Sequence, residues 1–393
     1  MKIRASRLLA VATALAVTAS VAACGNLGNN PEPSTNNSEK GPVTIGVLVD
    51  QTAYLKTLDG GVLSGIEKAV KTINDKGGVL DGRKLQIVTR DMAADPQTEV
   101  QAFQFLQGRD KPAIYLNGFS SAGNAAVAPL AESQKVPMIV ASVVPATNFD
   151  WMFSTITPVK FETGTRVTYL EAQGVKKVAI LHDPTPYNKS QVDIVEKQLA
   201  DAGIEVTGVA EHASDAVDLR PQISKLLSGS PQAIIKLSTG ATQIVAAKAL
   251  ADAGSTVPLL LGIESRANLV QASAVYPHVL AVAAPLQVYS ALKDSERSAA
   301  TKSFVTANPD ADDPTYVGRG WDAVFIAAAA INQAKSTDGQ AVRDALVSMG
   351  AYEGTSGSYD YTDTDHYGIT INPDYLAKIT DTSVEIITRP GTK

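Results

Sequence analysis

The chain has 393 residues, 45% of them hydrophobic and 19% charged, enough apolar material for one large domain or two ordinary ones. Its 34 Lys and Arg stand against 40 Asp and Glu, a net charge of −6, and no basic run is long enough to argue for nucleic acid or an anionic surface. One cysteine excludes an internal disulfide, so the fold must rely on its cores.

The first segment reads as an export signal rather than as part of the fold. Lys2, Arg4 and Arg7 form a positive n-region, and Leu8 to Ser20 is an apolar run too short for a comfortable membrane span. It leads into Val21-Ala22-Ala23-Cys24-Gly25. Small residues directly before a cysteine here resemble the bacterial lipoprotein signal. That resemblance implies that residues 1–23 are removed and that Cys24 is lipidated and becomes the mature N-terminus. Removal leaves 31 basic residues against 40 acidic ones, a net charge of about −9. Residues 24–42 are polar and turn-rich, as expected of a flexible tether between a lipid anchor and a folded body. No later run approaches membrane-spanning length, so the body is expected to be soluble and extracytoplasmic, anchored to the cell membrane by its lipid.

From Val43 apolar runs alternate with helical patterns. Val43 to Val49 predicts a strand, and Gly60 to Asp75 a helix with apolar positions at Val62, Ile66, Ala69, Val70 and Ile73. Lys76-Gly77-Gly78 ends that helix by supplying left-handed conformations. Lys84 to Arg90 is a second strand, and Asp95-Pro96 opens a second helix with a capping residue and a first-turn proline. Ala113 to Leu116 reads as a buried strand, Ala125 to Gln134 as a helix and Val136 to Ala141 as a further strand. This alternation is that of a parallel sheet with helices on both faces. After Trp151 to Pro158 the same pattern returns. Strands are predicted at Lys177 to His182, Ile204 to Ala210, Ala233 to Leu237, Pro258 to Leu261 and Val279 to Ala284. The helices between them are Ser190 to Ala202, Leu219 to Leu227 and Thr242 to Ala253. Two α/β lobes of similar build follow. Ser295 to Ala307 and Tyr316 to Ala334 are helical without an intervening strand and must cover an existing sheet, and the tail from Tyr352 reads as short antiparallel strands.

Within the first lobe, Asn117-Gly118-Phe119-Ser120-Ser121-Ala122-Gly123 is a tight turn from strand into helix. Such a turn leaves N–H groups unpaired and aims a helix N-terminus at open space. Ser120 and Ser121 there suit a carboxylate or another small polar group; either serine also serves as a plain helix cap.

Several stretches, taken in order, carry a family likeness. They are Ile66-Glu67-Lys68-Ala69-Val70 with Ile73-Asn74-Asp75-Lys76-Gly77-Gly78-Val79, Arg90-Asp91 with Asp95-Pro96, and Val136-Pro137-Met138-Ile139. Further on come Lys177-Val178-Ala179-Ile180-Leu181-His182-Asp183 with Tyr187, and Gly320-Trp321-Asp322-Ala323. Their order and spacing resemble the solute-binding proteins of branched-chain-amino-acid-type (leucine/isoleucine/valine-binding) ABC importers, over residues 43 to about 370. The resemblance implies an α/β architecture of two doubly wound parallel-sheet lobes joined by a three-strand hinge, the type I periplasmic-binding fold. The chain crossings are expected near 156–158, 284–288 and 350–356, with 43–157 plus 286–350 as one lobe and 158–285 plus 351–393 as the other. It implies a monomeric receptor, without catalysis, cofactor or metal, that closes on a small-molecule solute and meets importer permease and ATPase subunits. The alternative is a ligand-sensing subunit that passes its signal to a membrane receptor kinase.

The same resemblance implies a site. Ser121 matches a serine that hydrogen-bonds the ligand carboxylate, with Ser120 beside it, and Ser142 matches a position of backbone and small-side-chain contacts. Tyr187 matches a second-lobe tyrosine, Thr239 lies in the facing wall, and Glu264 matches the acid that receives a ligand ammonium. Tyr54, in the loop after the first strand, is a candidate to stack on a ligand. There are departures from the family pattern. Val144 stands where a threonine is usual, and tyrosines are missing around Ser238-Thr239-Gly240. Were Arg266 to neutralise Glu264, the cleft would suit an uncharged or purely anionic solute.

Other motifs weigh less. Gly60-Gly61-Val62-Leu63-Ser64-Gly65 fits no nucleotide fingerprint, and Gly118 to Gly123 misses the hydrolase elbow by one residue. His182, His212, His278 and His366 show no metal spacing. Asp363, Asp365, Gly368 and Asp374 echo a calcium loop only loosely and read as a turn-rich connection, while Trp321 reads as core.

Overall fold

The computed structural model describes residues 41–145, 150–311 and 313–391. The expected leader, Cys24 and the tether up to residue 40 lie outside the described residues. Strands β1 (Val43–Val49), β2 (Leu85–Asp91), β3 (Ile114–Asn117), β4 (Met138–Val140) and β5 (Met152–Ser154) form one parallel sheet in the order β2-β1-β3-β4-β5. Helices α1 (Lys56–Asp75), α2 (Pro96–Arg109) and α3 (Ser121–Gln134) connect its first four strands. Parallel pairing forces each connection back across the sheet, which is why every strand here is followed by a helix or a long crossing.

The second series runs α4 (Val159–Ala172), β6 (Lys177–His182), α5 (Pro186–Asp201), β7 (Glu205–Glu211), α6 (Arg220–Leu227), β8 (Ala233–Leu237), α7 (Thr242–Asp252), β9 (Leu259–Leu261), α8 (Arg266–Val275) and β10 (Val279–Ala283). Helices α9 (Ala299–Ala307), α10 (Pro314–Ala334) and α11 (Gly339–Ser348) follow, then a small hairpin of β11 (Tyr352–Glu353) and β12 (Ser358–Tyr359). Strands β13 (Tyr375–Ile379) and β14 (Val384–Thr388) complete a second sheet of order β14-β13-β10-β9-β8-β6-β7. Its β6–β10 part is parallel, whereas β13 and β14 add antiparallel. Among the described residues no helix is long and apolar enough to cross a membrane.

Helices α1 and α10 cover one face of the first sheet. Val47, Ile66, Val70, Val317, Val324, Ile331 and Leu346 are buried in that core, with Trp321 edge-on to Phe304 and tilted against Phe325. The two helices touch through glycines. A Cβ on Gly65 would run into the Val317 carbonyl, and one on Gly320 into the Val62 carbonyl. The Gly60 to Gly65 stretch therefore serves close helix packing. On the opposite face, α2 and α3 bury Phe103, Leu106 and Val127. The second sheet is likewise packed on both faces, by Leu219, Leu250 and Leu269 on one side and Leu170, Val195 and Leu199 on the other.

Differences from the sequence reading have local causes. Helix α1 begins at Lys56 rather than Gly60, because the Asp50 carboxylate accepts the N–H groups of Ala53 at 2.6 Å and Leu55 at 2.7 Å and turns the chain early. Helix α4 carries buried Glu162 and Arg166, which pair at 3.3 Å, so its inward face does not look apolar. Tyr359, Tyr361 and Ile369 join the first core, with the Tyr359 and Tyr361 hydroxyls donating to the Thr155 and Ser154 carbonyls, and the chain re-enters the second sheet at Tyr375. The calcium-like residues are dispersed: Asp363 pairs with Arg343 at 2.7 Å, while Asp374 is buried and accepts from Thr157 at 3.3 Å.

Candidate functional site

The carboxyl ends of both parallel sheets border one cavity of about 580 Å³, open solvent at its mouth included. Binding sites of open α/β sheets lie at such strand ends, because the loops there are free of the sheet's own hydrogen bonds. From the first lobe, Tyr54, Leu55 and Leu58 after β1, Phe119 and Ser121 after β3, and Ala141 and Ser142 after β4 line it, together with Tyr316 and Arg319 of α10. From the second lobe come Glu162 of α4, Thr185, Tyr187 and Asn188 after β6, Thr239 after β8 and Ile263 after β9. Ile156 lines it from the first crossing.

The β3–α3 turn divides its serines between two tasks. Ser120 is the cap: its Oγ accepts the Gly123 N–H at 3.0 Å. Ser121 instead faces the cavity with its hydroxyl at the helix N-terminus. The turn is held from behind, since Asp59 accepts the Phe119 N–H at 2.8 Å and Gly118 donates to the Leu48 carbonyl at 2.8 Å. Asn117 and Asn124 clamp its two ends at 3.0 Å. Burial pushes Asp59 up to about 7, with the N–H donors of Asp50 and Phe119 opposing that rise.

In the second lobe the Tyr187 hydroxyl donates to Glu162 at 2.8 Å, and Glu162 also takes the Arg166 guanidinium. Burial, then the Glu162 carboxylate, raises the Tyr187 phenol well above its ordinary range, so it is a neutral donor. Thr185 and Asn188 are both tied to Asp183, at 2.6 Å and 3.0 Å, which fixes the loop after β6. Behind Thr239, the fully buried Lys236 is pushed down to about 7 by burial and contacts Thr242 at 3.1 Å and Ser238.

Of the residues singled out from sequence, Tyr54, Ser121, Ser142, Tyr187 and Thr239 meet in this cavity, Tyr54 at its mouth and 58% exposed. Ser120 and Glu264 do not line it. Glu264 is wholly buried and accepts the N–H groups of Gly240 at 2.6 Å and Ser265 at 2.7 Å and the Asn268 amide at 3.1 Å. Burial raises its carboxyl above the ordinary range against those donors. Arg266 does not neutralise it; the guanidinium reaches the Thr380 and Asp381 carbonyls instead. Sequence reasoning missed Glu162, Asn188, Tyr316 and Arg319. The last two had a legible signal, an aromatic and the one cation of the helix a turn apart, just before the Gly320-Trp321 motif.

The two sheets, the three crossings and a cavity lined from both sides define a two-lobed α/β binding protein. The chain belongs to the periplasmic binding protein family, whose model matches residues 42–383. The Leu/Ile/Val-binding protein homolog 3 of Brucella melitensis is 26% identical over 336 residues, 82% of this chain and 88% of that protein. An extracellular ligand-binding receptor from Rhodopseudomonas palustris shares the fold at a TM-score of 0.79 and 18% identity, over 88% of this chain and 99% of that one. So does the branched-chain amino acid transporter substrate binding protein from Streptococcus pneumoniae, in complex with isoleucine, at a TM-score of 0.75 and 18% identity over 88% and 99% of the two chains. The family is one of solute binders rather than enzymes, and membership implies an extracytoplasmic place of action.

Proposed function

We propose that the protein is an extracytoplasmic solute-binding lipoprotein of an ABC importer. It takes a small polar or carboxylate-bearing, amino-acid-like solute between its lobes and closes on it by hinge motion. The observation that carries this reading is the shared cavity, with the Ser121 helix N-terminus on one wall and Tyr187 and Thr239 on the other. A solute touching both walls stabilises the closed arrangement by its differential contacts, and a closed form is a surface that permease subunits can recognise. The lobes are proposed as 43–157 with 286–350 and 158–285 with the tail, the stretch up to about 370 going with the first lobe because of Tyr359, Tyr361 and Ile369. Cys24 is proposed as the lipid attachment that keeps this monomer at the membrane.

The test is a thermal-shift screen of the purified protein with amino acids, aromatic acids, amides and short polyols. A ligand of the folded state raises the melting temperature by mass action. A hit whose binding is lost in both Ser121→Ala and Tyr187→Ala supports the reading; turnover of an ester panel that Ser121→Ala abolishes would overturn it. Membrane fractionation of a Cys24→Ser variant tests the anchor separately, with release to the soluble fraction as the expected result.

A further inference from the structure

Arg319 is the charged group of the cavity wall with no ion pair and an unsatisfied buried nitrogen among the described residues. It is 4% exposed, its Nε has no hydrogen-bond partner, and no carboxylate of the described residues lies in ion-pairing range. Its guanidinium sits 5.2 Å from the Phe119 ring centroid and 5.5 Å from that of Tyr316, so two aromatic faces hold it in position beside the cavity. A buried guanidinium without a counter-anion is costly, and the arrangement persists where an anion is to arrive.

The carboxylate of the lining and the one in the loop behind Thr239 are already answered. Glu162, the acid of the lining, takes Arg166 on one oxygen and the Tyr187 hydroxyl on the other. Glu264 is spent on Gly240, Ser265 and Asn268. Asp313 and Asp374 both feel the Arg319 charge, yet neither lines the cavity, Asp313 bordering the separate hollow beside Phe304 and Asn308. An incoming ammonium therefore meets no unpaired carboxylate among the residues that line the cavity. The rest of the wall is uncharged: Leu55, Leu58, Phe119, Ile156, Ile263 and Tyr316 supply apolar surface, beside the neutral polar groups of Ser142, Thr185, Asn188 and Thr239.

We infer that the cavity selects an apolar or aromatic monocarboxylate without an α-ammonium group, held by Arg319 together with the Ser121 end of α3. This rests on the proposed solute-receptor reading and narrows its ligand class. The carboxylate meets a charged donor and a helix N-terminus from the first lobe, while the apolar body fills the space toward Ile263 and Tyr187.

Matched probes test it by isothermal titration calorimetry and thermal shift of the unaltered protein. They are 4-methylpentanoate with its amide and with leucine, and 3-phenylpropionate with its amide and with phenylalanine. The expected result is that at least one acid binds about tenfold or more tightly than both its amide and its amino acid. Arg319→Gln should weaken that acid at least about 30-fold, with Arg319→Lys intermediate. Far-UV circular dichroism of each variant reports folding, and the acid, amide and amino-acid comparison stands even if a variant does not fold. An amide as good as its acid, or leucine binding more tightly than 4-methylpentanoate, overturns the inference and leaves the receptor reading intact. Failure of all six probes also overturns it. A metabolite-library screen then decides the receptor reading on its own.

Discussion

Gly60 and Gly65 lie five positions apart in α1, and the same substitution at each has opposite expected signs. A methyl group at Gly60 meets nothing within 4 Å. Gly60→Ala should stabilise by about 0.5–1 kcal/mol, the usual helix-propensity gain. At Gly65 the new Cβ would press on the Val317 carbonyl and lie 2.9 Å from the Trp321 nitrogen, and both are backbone atoms of α10 that cannot rotate away. Overpacking of this kind costs about 1–3 kcal/mol and occasionally more, and two backbone clashes argue for the upper end. Less the propensity gain, Gly65→Ala should destabilise by about 2 kcal/mol. For a lobe of ordinary size that is a fall in Tm of about 4–8 °C, against a small rise for Gly60→Ala. The displacement would also carry Tyr316 and Arg319 with α10 and so weaken any ligand of the cavity. Scanning calorimetry of the two variants beside the parent reads the result. Equal gains in Tm at both positions would refute the close α1–α10 packing from which the site's geometry is built.

The two serines of the β3–α3 turn should separate. Ser120→Ala should lose about 1 kcal/mol of stability with ligand affinity nearly unchanged, and Ser121→Ala the reverse, read by urea unfolding and calorimetric titration. Glu264→Gln should lower stability by about 1–3 kcal/mol through its lost N–H acceptor strength and change ligand affinity by less than about threefold. A large affinity loss at normal Tm would assign Glu264 to the ligand instead. Stability should also rise as pH falls from 7 to 5. Burial raises Asp59, Asp313 and Asp322 to about 7 and Asp374 to about 8, so through this window the folded chain keeps protons that the unfolded chain has released. Each such proton adds about 1.4 kcal/mol per pH unit at most; His212 and, near pH 7, Lys236 have lowered pKa values that act in the opposite sense, but they are two groups against four. A Tm that falls steadily over the same window would contradict the buried-acid assignment.

Much of the fold was legible because alternating strand and helix periods are a property of local sequence. Val43–Val49 and Lys177–His182 are runs buried on both sheet faces and so read as continuous apolar strands. Helix α4 escaped because it buries charges that compensate each other in space, and an inward Glu162–Arg166 pair looks solvent-facing in sequence. The candidate site was half legible for a related reason. Turn residues such as Ser121 and Thr239 announce themselves by following strands, whereas Glu264 gives no sequence sign that three donors of its own lobe will consume it. Arg319 arrives from 198 positions beyond Ser121, on a helix that folds back after the parallel strands of the second sheet, so only the tertiary structure brings the two together.

The central claim is that one solute is held by both lobes at once, and a crystal structure of the protein with the tightest ligand from the screen tests it most directly. The expected result is density in the shared cavity, touching Ser121 and Arg319 on one side and Tyr187 or Thr239 on the other. Density confined to one lobe, or seated instead in the separate hollow beside Phe304, Asn308 and Asp310, would contradict it.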